Sequence, residues 1–229
     1  MSSQKRISAS RTYNIKRKQG TWITKVNPGP HDKSALPLNV LLRDVLKITR
    51  NARESKRVLH EGKVLVDGLV RKDPRFPVGL FDVVSIPLAK KYFRVVFDHI
   101  GRLKCVNCSK KESDLKIVKI LRKARKDKLY QLTTNDGRNF NVKLSEGKKY
   151  NCGDSLLIKI PSQEIVNHLP FVKGASVYIT GGKKVGSEAE LKGLEDNTAV
   201  IIVNKEEHRT IKDYVFIVGD KKSELVLNE

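Results

Sequence analysis

The sequence predicts an α+β protein of several small domains: two short helices with strands, then a β-rich centre, then a small β module. Three observations predict it. Apolar residues recur at helical spacing early in the chain, whereas beyond residue 99 they alternate between hairpin turns. The 229 residues, 39% of them apolar, can bury two or three small cores. Glycines gather near the C-terminal end, where two short strands flank a turn. The expected divisions are a basic extension over 1–36, the helical unit with its strands over 37–98, a central β domain over 99–170 and the C-terminal module over 171–229.

The helical unit is the most explicit. Leu38, Leu41, Leu42, Val45 and Leu46 follow the i, i+3, i+4, i+7, i+8 spacing of one buried helix face. Pro37 suits the first helical turn, where its missing N–H costs nothing. A second helix is expected from Asn51, a good N-cap, with Glu54 three residues on as in a capping box. At about 100° per residue, Arg50, Arg53 and Arg57 share one side of that helix, away from Ala52, Ser55 and Leu59. Gly62 fits the left-handed residue that ends a helix. Residues 63–66 then alternate, Asp67-Gly68 turns, and Val83, Val84 and Ile86 form a further strand. KKYFRVVFD is a strand by its aromatic and β-branched content, expected to pass the chain to the next domain. Helix N-termini and arginine forks both suit phosphate oxygens. The alternative for the three arginines is a solvated charged face.

The whole chain carries a formal charge of +21, from 46 Lys and Arg against 25 Asp and Glu. Such a balance points to a polyanion: nucleic acid first, an anionic membrane surface second. No apolar run is long enough to cross a bilayer, and no signal-peptide succession is present. The first eighteen residues are Ser-rich, basic and free of acids, as in a transit peptide, but they lack its apolar helical face. Cys105-Val-Asn-Cys108 is the only CxxC, and no second Cys or His pair stands near it. A structural zinc site needs that pair. No metal and no cofactor is expected, and Cys105 and Cys108 read as two ordinary small residues in a reducing compartment, here the cytoplasm.

Residues 1–33 hold eight basic side chains, among them Lys5, Arg6, Arg11, Lys16, Arg17 and Lys18, against Asp32 alone. Tyr13 and Trp22 sit among these charges. Basic residues interleaved with aromatics can bind phosphates while stacking on bases. For Trp22, packing against the following domain is an equal alternative. The extension has little apolar content, so it is expected to be mobile until it meets RNA. NPGPH, 27–31, is a stiff turn, and His31 is a turn residue without an acid, base or nucleophile beside it.

In the centre, Leu115, Ile117, Lys119 and Leu121 alternate with Lys116, Val118 and Ile120 in a strand buried on much of both faces. Strands over 129–134 and 138–144 flank Asn135-Asp136-Gly137, a strong hairpin turn. Phe140, Val142 and Leu144 point one way and Asn139, Asn141 and Lys143 the other. Residues 155–160 add a strand. RKARKDK, 122–128, is expected as a loop tip carrying Arg122, Lys123, Arg125 and Lys126. It is either a probe into an RNA groove or solubilising charge.

In the C-terminal module, Gly174, Gly181, Gly182 and Gly186 punctuate a turn that carries Lys183 and Lys184. GGKK lacks the spacing of a phosphate-binding Walker loop. The module has nine basic and ten acidic residues, whereas 37–98 has 13 against seven and 99–170 has 16 against seven. It is therefore expected at the edge of any phosphate contact, facing solvent or a basic neighbouring protein.

Several stretches resemble a known family. RDVLKITRNARESKRVLHEGKVLVDG and FPVGLFDVVSI look like the S-four-type RNA-binding domain, in the version of the S-four-e family of small-subunit ribosomal proteins shared by archaea and eukaryotes. The resemblance implies an RNA-facing surface of Arg43, Arg50, Arg53, Lys56, Arg57 and Lys63, which Arg71 and Lys72 extend. KQGTWITKVNPGPH resembles the family's leader. FVKGASVYITGGKKVGSEAELKGLE looks like a KOW motif, which implies a small SH3-like barrel, although Ala189 stands where a further glycine is expected. IKDYVFIVG is again similar, and the short remainder after Gly219 fits archaeal members.

The implied function is a structural protein of the small ribosomal subunit that holds folded ribosomal RNA beside neighbouring ribosomal proteins, with no membrane, no small-molecule substrate and no reaction. Two other readings stay open. An RNA-modifying or tRNA-acting enzyme would need a catalytic domain beside the RNA grip, and no such motif is present. A regulatory factor built on the KOW module would have less use for the charged leader.

Overall fold

The computed structural model describes residues 3–31, 34–195, 197–220 and 223–227. It is mostly strand with few helices, and it divides into two compact units, one ending at Asp114 and one spanning Leu115–Leu227.

The first unit opens with a short hairpin of β1 (Ser3–Lys5) and β2 (Trp22–Thr24). Strand β3 (Leu36–Pro37) leads into α1 (Leu38–Val40), which continues as a π-helical turn over Leu41–Val45. The Leu46 N–H reaches the Leu41 carbonyl at 2.9 Å, five residues back. This wider turn rotates Val45 and Leu46 off the stripe, so they are half-buried while Leu38, Leu41 and Leu42 are fully buried. Pro37 lies one position before the expected first turn, in extended backbone, because Leu36 and Pro37 pair with β6 (Pro77–Val78).

Helix α2 (Ala52–His60) begins as its sequence requires. The Asn51 side chain accepts from the Glu54 N–H at 2.9 Å, and the Glu54 carboxylate accepts from the Arg50 N–H at 2.7 Å. Its inner face buries Ser55 and Leu59. Gly62 closes it with a φ of 71°.

A five-stranded antiparallel sheet follows, in the order β5 (Leu69–Val70), β4 (Leu65–Val66), β7 (Val83–Ile86), β8 (Lys91–Phe97), β9 (Leu103–Asn107). Strand β9 pairs with β8 along its length, so the first unit extends past the boundary expected after residue 98. Arg94 is fully buried in β8. Burial pulls its guanidinium below the usual value, and its Nη2 donates to the Glu112 carbonyl at 2.7 Å.

The extension does not stand apart from this unit. Tyr13 and Ile23 are each 3% exposed, and the Leu103 N–H donates to the Thr12 carbonyl at 2.8 Å. His31 turns with a φ of 68°, as expected of a turn residue. It is not without an acid, however: the fold brings Asp82 from 51 residues away, so the imidazole lies over Gly79 and bonds both Asp82 oxygens at 2.9 Å.

The second unit is built on β10 (Leu115–Lys126). Its first half pairs with β13 (Ser155–Lys159), and its second half pairs with β11 (Leu129–Thr134). With β12 (Asn139–Lys143) and β14 (Glu164–Leu169), the sheet order is β12-β11-β10-β13-β14. The register shifts at Leu121, which is 58% exposed instead of inward. The remaining strands are β15 (Ser176–Ile179), β16 (Glu188–Glu195), β17 (Thr198–Val203), β18 (Glu206–Ile211) and β19 (Val215–Gly219), in the order β18-β17-β16-β15-β19.

Candidate nucleic-acid interface

The cap of α2 fixes the direction of its outer face. Arg50, Arg53 and Arg57 are exposed there and surround a shallow depression of about 560 Å³ with Asn51 and Glu54. Lys56 is exposed on the same helix. Two acids temper the charge. Glu54 is held by the cap, and Glu61 pairs with Arg57 at 3.0 Å and with Lys63 at 2.5 Å. The Lys63 and Arg57 hydrogen bonds hold the Glu61 carboxyl below its ordinary value. Arg43 is half-buried and forms a bidentate pair with Asp44, at 2.9 and 2.6 Å. The Arg71 guanidinium stacks 4.5 Å from the Phe76 ring, and Lys72 beside it is exposed.

In the extension, Lys5, Arg11, Lys16 and Lys18 are exposed. Arg17 and Arg6 have a different task. Arg17 donates to the carbonyls of Ile7, Ala9 and Ser10 at 2.9–3.0 Å, and Arg6 to that of Lys16 at 3.1 Å. The loop over 6–20 thus closes on its own arginines, an arrangement that basic composition does not reveal. Trp22 is 62% exposed.

RKARKDK is not a loop. Arg122, Lys123, Arg125 and Lys126 belong to β10, and only Asp127 and Lys128 turn, with a φ of 51° at Asp127. Strand alternation therefore splits the cluster. Lys123 is half-buried, bonded to the Tyr150 carbonyl at 2.8 Å and lying 4.7 Å from the Tyr130 ring. Arg122, Arg125 and Lys126 remain exposed.

Gly174, in the turn before β15, and Gly182 and Gly186, in the turn after it, have φ values of 83°, 89° and 78°, a backbone that disfavours a side chain. Gly181 is needed for closeness instead, since a β-carbon there would come within 2.8 Å of the Tyr214 ring. Lys183 is exposed and Lys184 half-buried. Opposite charges cover the nearby strands, with Lys192 paired to Glu207 and Arg209 to Glu195.

Among the described residues, no three His, Cys, Asp or Glu side chains gather as a metal-ligand set. No helix among them is long and apolar enough to cross a membrane. Cys105 and Cys108 are half-buried, and burial pushes the Cys105 thiol up to about 12.

Small strand-rich modules with cations displayed from rigid backbone define a basic binding protein. Comparison with known proteins places it more closely. Residues 89–165 match the model described as ribosomal family S4e, and residues 2–34 match the RS4NT (NUC023) domain. The small ribosomal subunit protein eS4 of Archaeoglobus fulgidus is 43% identical, with 96% of this chain and 94% of that protein covered. Its counterpart in Methanococcus aeolicus is 44% identical, with 95% and 94% covered. The crystal structure of the 30S ribosomal protein S4e from Thermoplasma acidophilum superposes with a TM-score of 0.71 at 30% identity, covering 81% of this chain and 95% of that one. The chain belongs to the S4e family of ribosomal proteins.

Proposed function

We propose that the chain is a structural component of the small ribosomal subunit in the cytoplasm, where it binds and stabilises folded ribosomal RNA without carrying out a reaction. The observation that carries this reading is the outer face of α2, where three exposed arginines meet at a capped helix start. Fixed guanidinium forks recognise phosphate oxygens without ordering a loop first. Lys56, Lys63 and Lys72 widen that face, and exposed Lys5, Arg11, Lys16 and Lys18 form a second one with Trp22 available to stack on a base. The relatives named above are small-subunit proteins across nearly the same length, which supports the assignment.

The sheet β18-β17-β16-β15-β19 is read as the curved sheet of a KOW-type barrel. Its Lys192–Glu207 and Arg209–Glu195 pairs balance its charge locally, so it would sit at the margin of the RNA contact and face a neighbouring ribosomal protein.

Replacing Arg50, Arg53 and Arg57 together by Ala tests the central claim. If all three touch phosphate, the plot of log affinity for ribosomal RNA against log salt should flatten by about two to three units. An unchanged slope in a folded variant would remove α2 from the interface. Co-sedimentation with salt-washed small subunits tests the assignment itself, and loss of the protein in that wash would count against a structural role.

A further inference from the structure

We propose that the outward face of β10, β11 and β12 docks on the minor groove of an A-form RNA helix, an inference that rests on the RNA-binding function proposed above. The strand register carries it. Cross-strand pairing arranges the outward residues in three rows. Arg122, Thr133 and Asn139 form the first, and Ala124, Gln131 and Asn141 the second. Lys126, Leu129 and Lys143 form the third. The residues between them point to the opposite side, where Leu132, Phe140 and Val142 are at most 8% exposed and enclose the core. All nine outward residues are exposed or half-exposed.

The chemistry of this face is selective. Three cations occupy its corners, and amides and a hydroxyl lie between them. None of the nine is a carboxylate. Asp127, in the turn beside Lys126 and Lys128, is the one acid lining the adjoining depression. A face that served only solubility would intersperse both signs. The amides of Gln131 and Asn141 each donate and accept, as a ribose 2′-hydroxyl does. The Thr133 hydroxyl donates to the Asn139 Oδ1 at 2.8 Å and so orients a third amide.

Shape selects the groove. Rows lie about 6.7 Å apart along the strands, and neighbouring strands about 4.8 Å apart. The patch is therefore about 13 Å by 10 Å, broad and shallow. The major groove of A-form RNA is deep and narrow, whereas its minor groove is wide, shallow and lined with 2′-hydroxyls. The α2 face differs in kind, because its arginines suit phosphates and would not distinguish RNA from DNA.

The test uses the full-length protein with a short RNA duplex and the DNA duplex of the same sequence in competition. Wild type should prefer the RNA duplex. Gln131→Ala with Asn141→Ala should reduce that preference by about tenfold, while binding to the DNA duplex changes little. Should that pair destabilise the sheet, Lys126→Gln with Lys143→Gln provides a second arm, which should flatten the salt dependence on the RNA duplex by about two units. An unaltered RNA preference in the amide variant, or an unaltered slope in the lysine variant, overturns the proposed face. A wild type that binds RNA but does not prefer it to DNA overturns the groove assignment alone. A wild type that binds neither duplex nor ribosomal RNA overturns the underlying function as well.

Discussion

The side-chain amine of Lys119 lies 2.9 Å from the carbonyl oxygen of Val215. It also donates to the carbonyls of Asp213 at 3.1 Å and Lys212 at 3.4 Å. Lys119 is in β10, and its acceptors lie at the end of the 3₁₀ turn Lys212–Tyr214 and the start of β19. A single ammonium thus closes the carbonyl end of a turn and joins the two sheets of the second unit. Burial pulls its pKa down. Lys119→Met keeps the length of the side chain and removes the donors. The variant should be about 2 kcal/mol less stable in urea unfolding, because the ammonium's hydrogen bonds to the turn are lost. Wild-type stability would mean that water replaces the ammonium at no cost.

Asp136 anchors a second buried cluster. Its carboxylate lies 3.3 Å from the Lys116 amine and 3.0 Å from the Arg138 Nε, and it accepts from the Thr134 hydroxyl at 2.6 Å. Burial alone would raise its pKa, but Lys116, the Thr134 hydroxyl and Arg138 outweigh burial and hold it below the ordinary 3.8. Its contribution to stability is therefore complete above that value and is lost as pH falls through the lower folded pKa. Asp136→Asn should cost about 3 kcal/mol at neutral pH, because the buried cluster loses the carboxylate on which Lys116, Arg138 and the Thr134 hydroxyl converge. The same variant should lose less stability than wild type between pH 4 and the acid limit. Parallel pH–stability curves would show that Asp136 does not hold the cluster.

Glu61 is the brake on the arginine face. Glu61→Gln releases Arg57 and Lys63 together. RNA binding should tighten at low salt, and the slope of log affinity against log salt should steepen by up to about two units. Anisotropy titrations at several salt concentrations measure it. No steepening would place both cations outside the contact.

The three thiols should separate kinetically. Cys152 is exposed, whereas Cys105 is held in its protonated form by burial. At neutral pH, iodoacetamide should label Cys152 first and Cys105 only after unfolding. Rapid native labelling of Cys105, read by mass spectrometry, would contradict its placement in β9.

What the sequence made legible is local. Asn51, Glu54 and Gly62 announce α2 at both ends, because cap and stop are decided within a few residues. Asn135-Asp136-Gly137 announces the β11–β12 hairpin for the same reason. The misread elements depend on distant partners. Arg122 to Lys126 lacks apolar alternation, and its turn has no glycine, so only pairing with β11 makes it a strand. Strand β9 belongs to the first unit through its ladder with β8. Of the candidate cations, Arg6, Arg17, Arg43, Arg57, Lys63, Arg71 and Lys123 have intramolecular partners. Composition counts such charges but does not say which way they face.

The closure of the 6–20 loop by Arg17 has a calorimetric consequence. A tail that folds only against its target buries fresh apolar surface at that moment and leaves a large negative heat-capacity change. Here Tyr13 and Ile23 are already buried, and three carbonyls are already tied to one guanidinium. Beyond the exposed Trp22 ring, joining RNA therefore removes little additional hydrocarbon from water. Its enthalpy should vary only weakly with temperature, so the contact should hold over a broad thermal range.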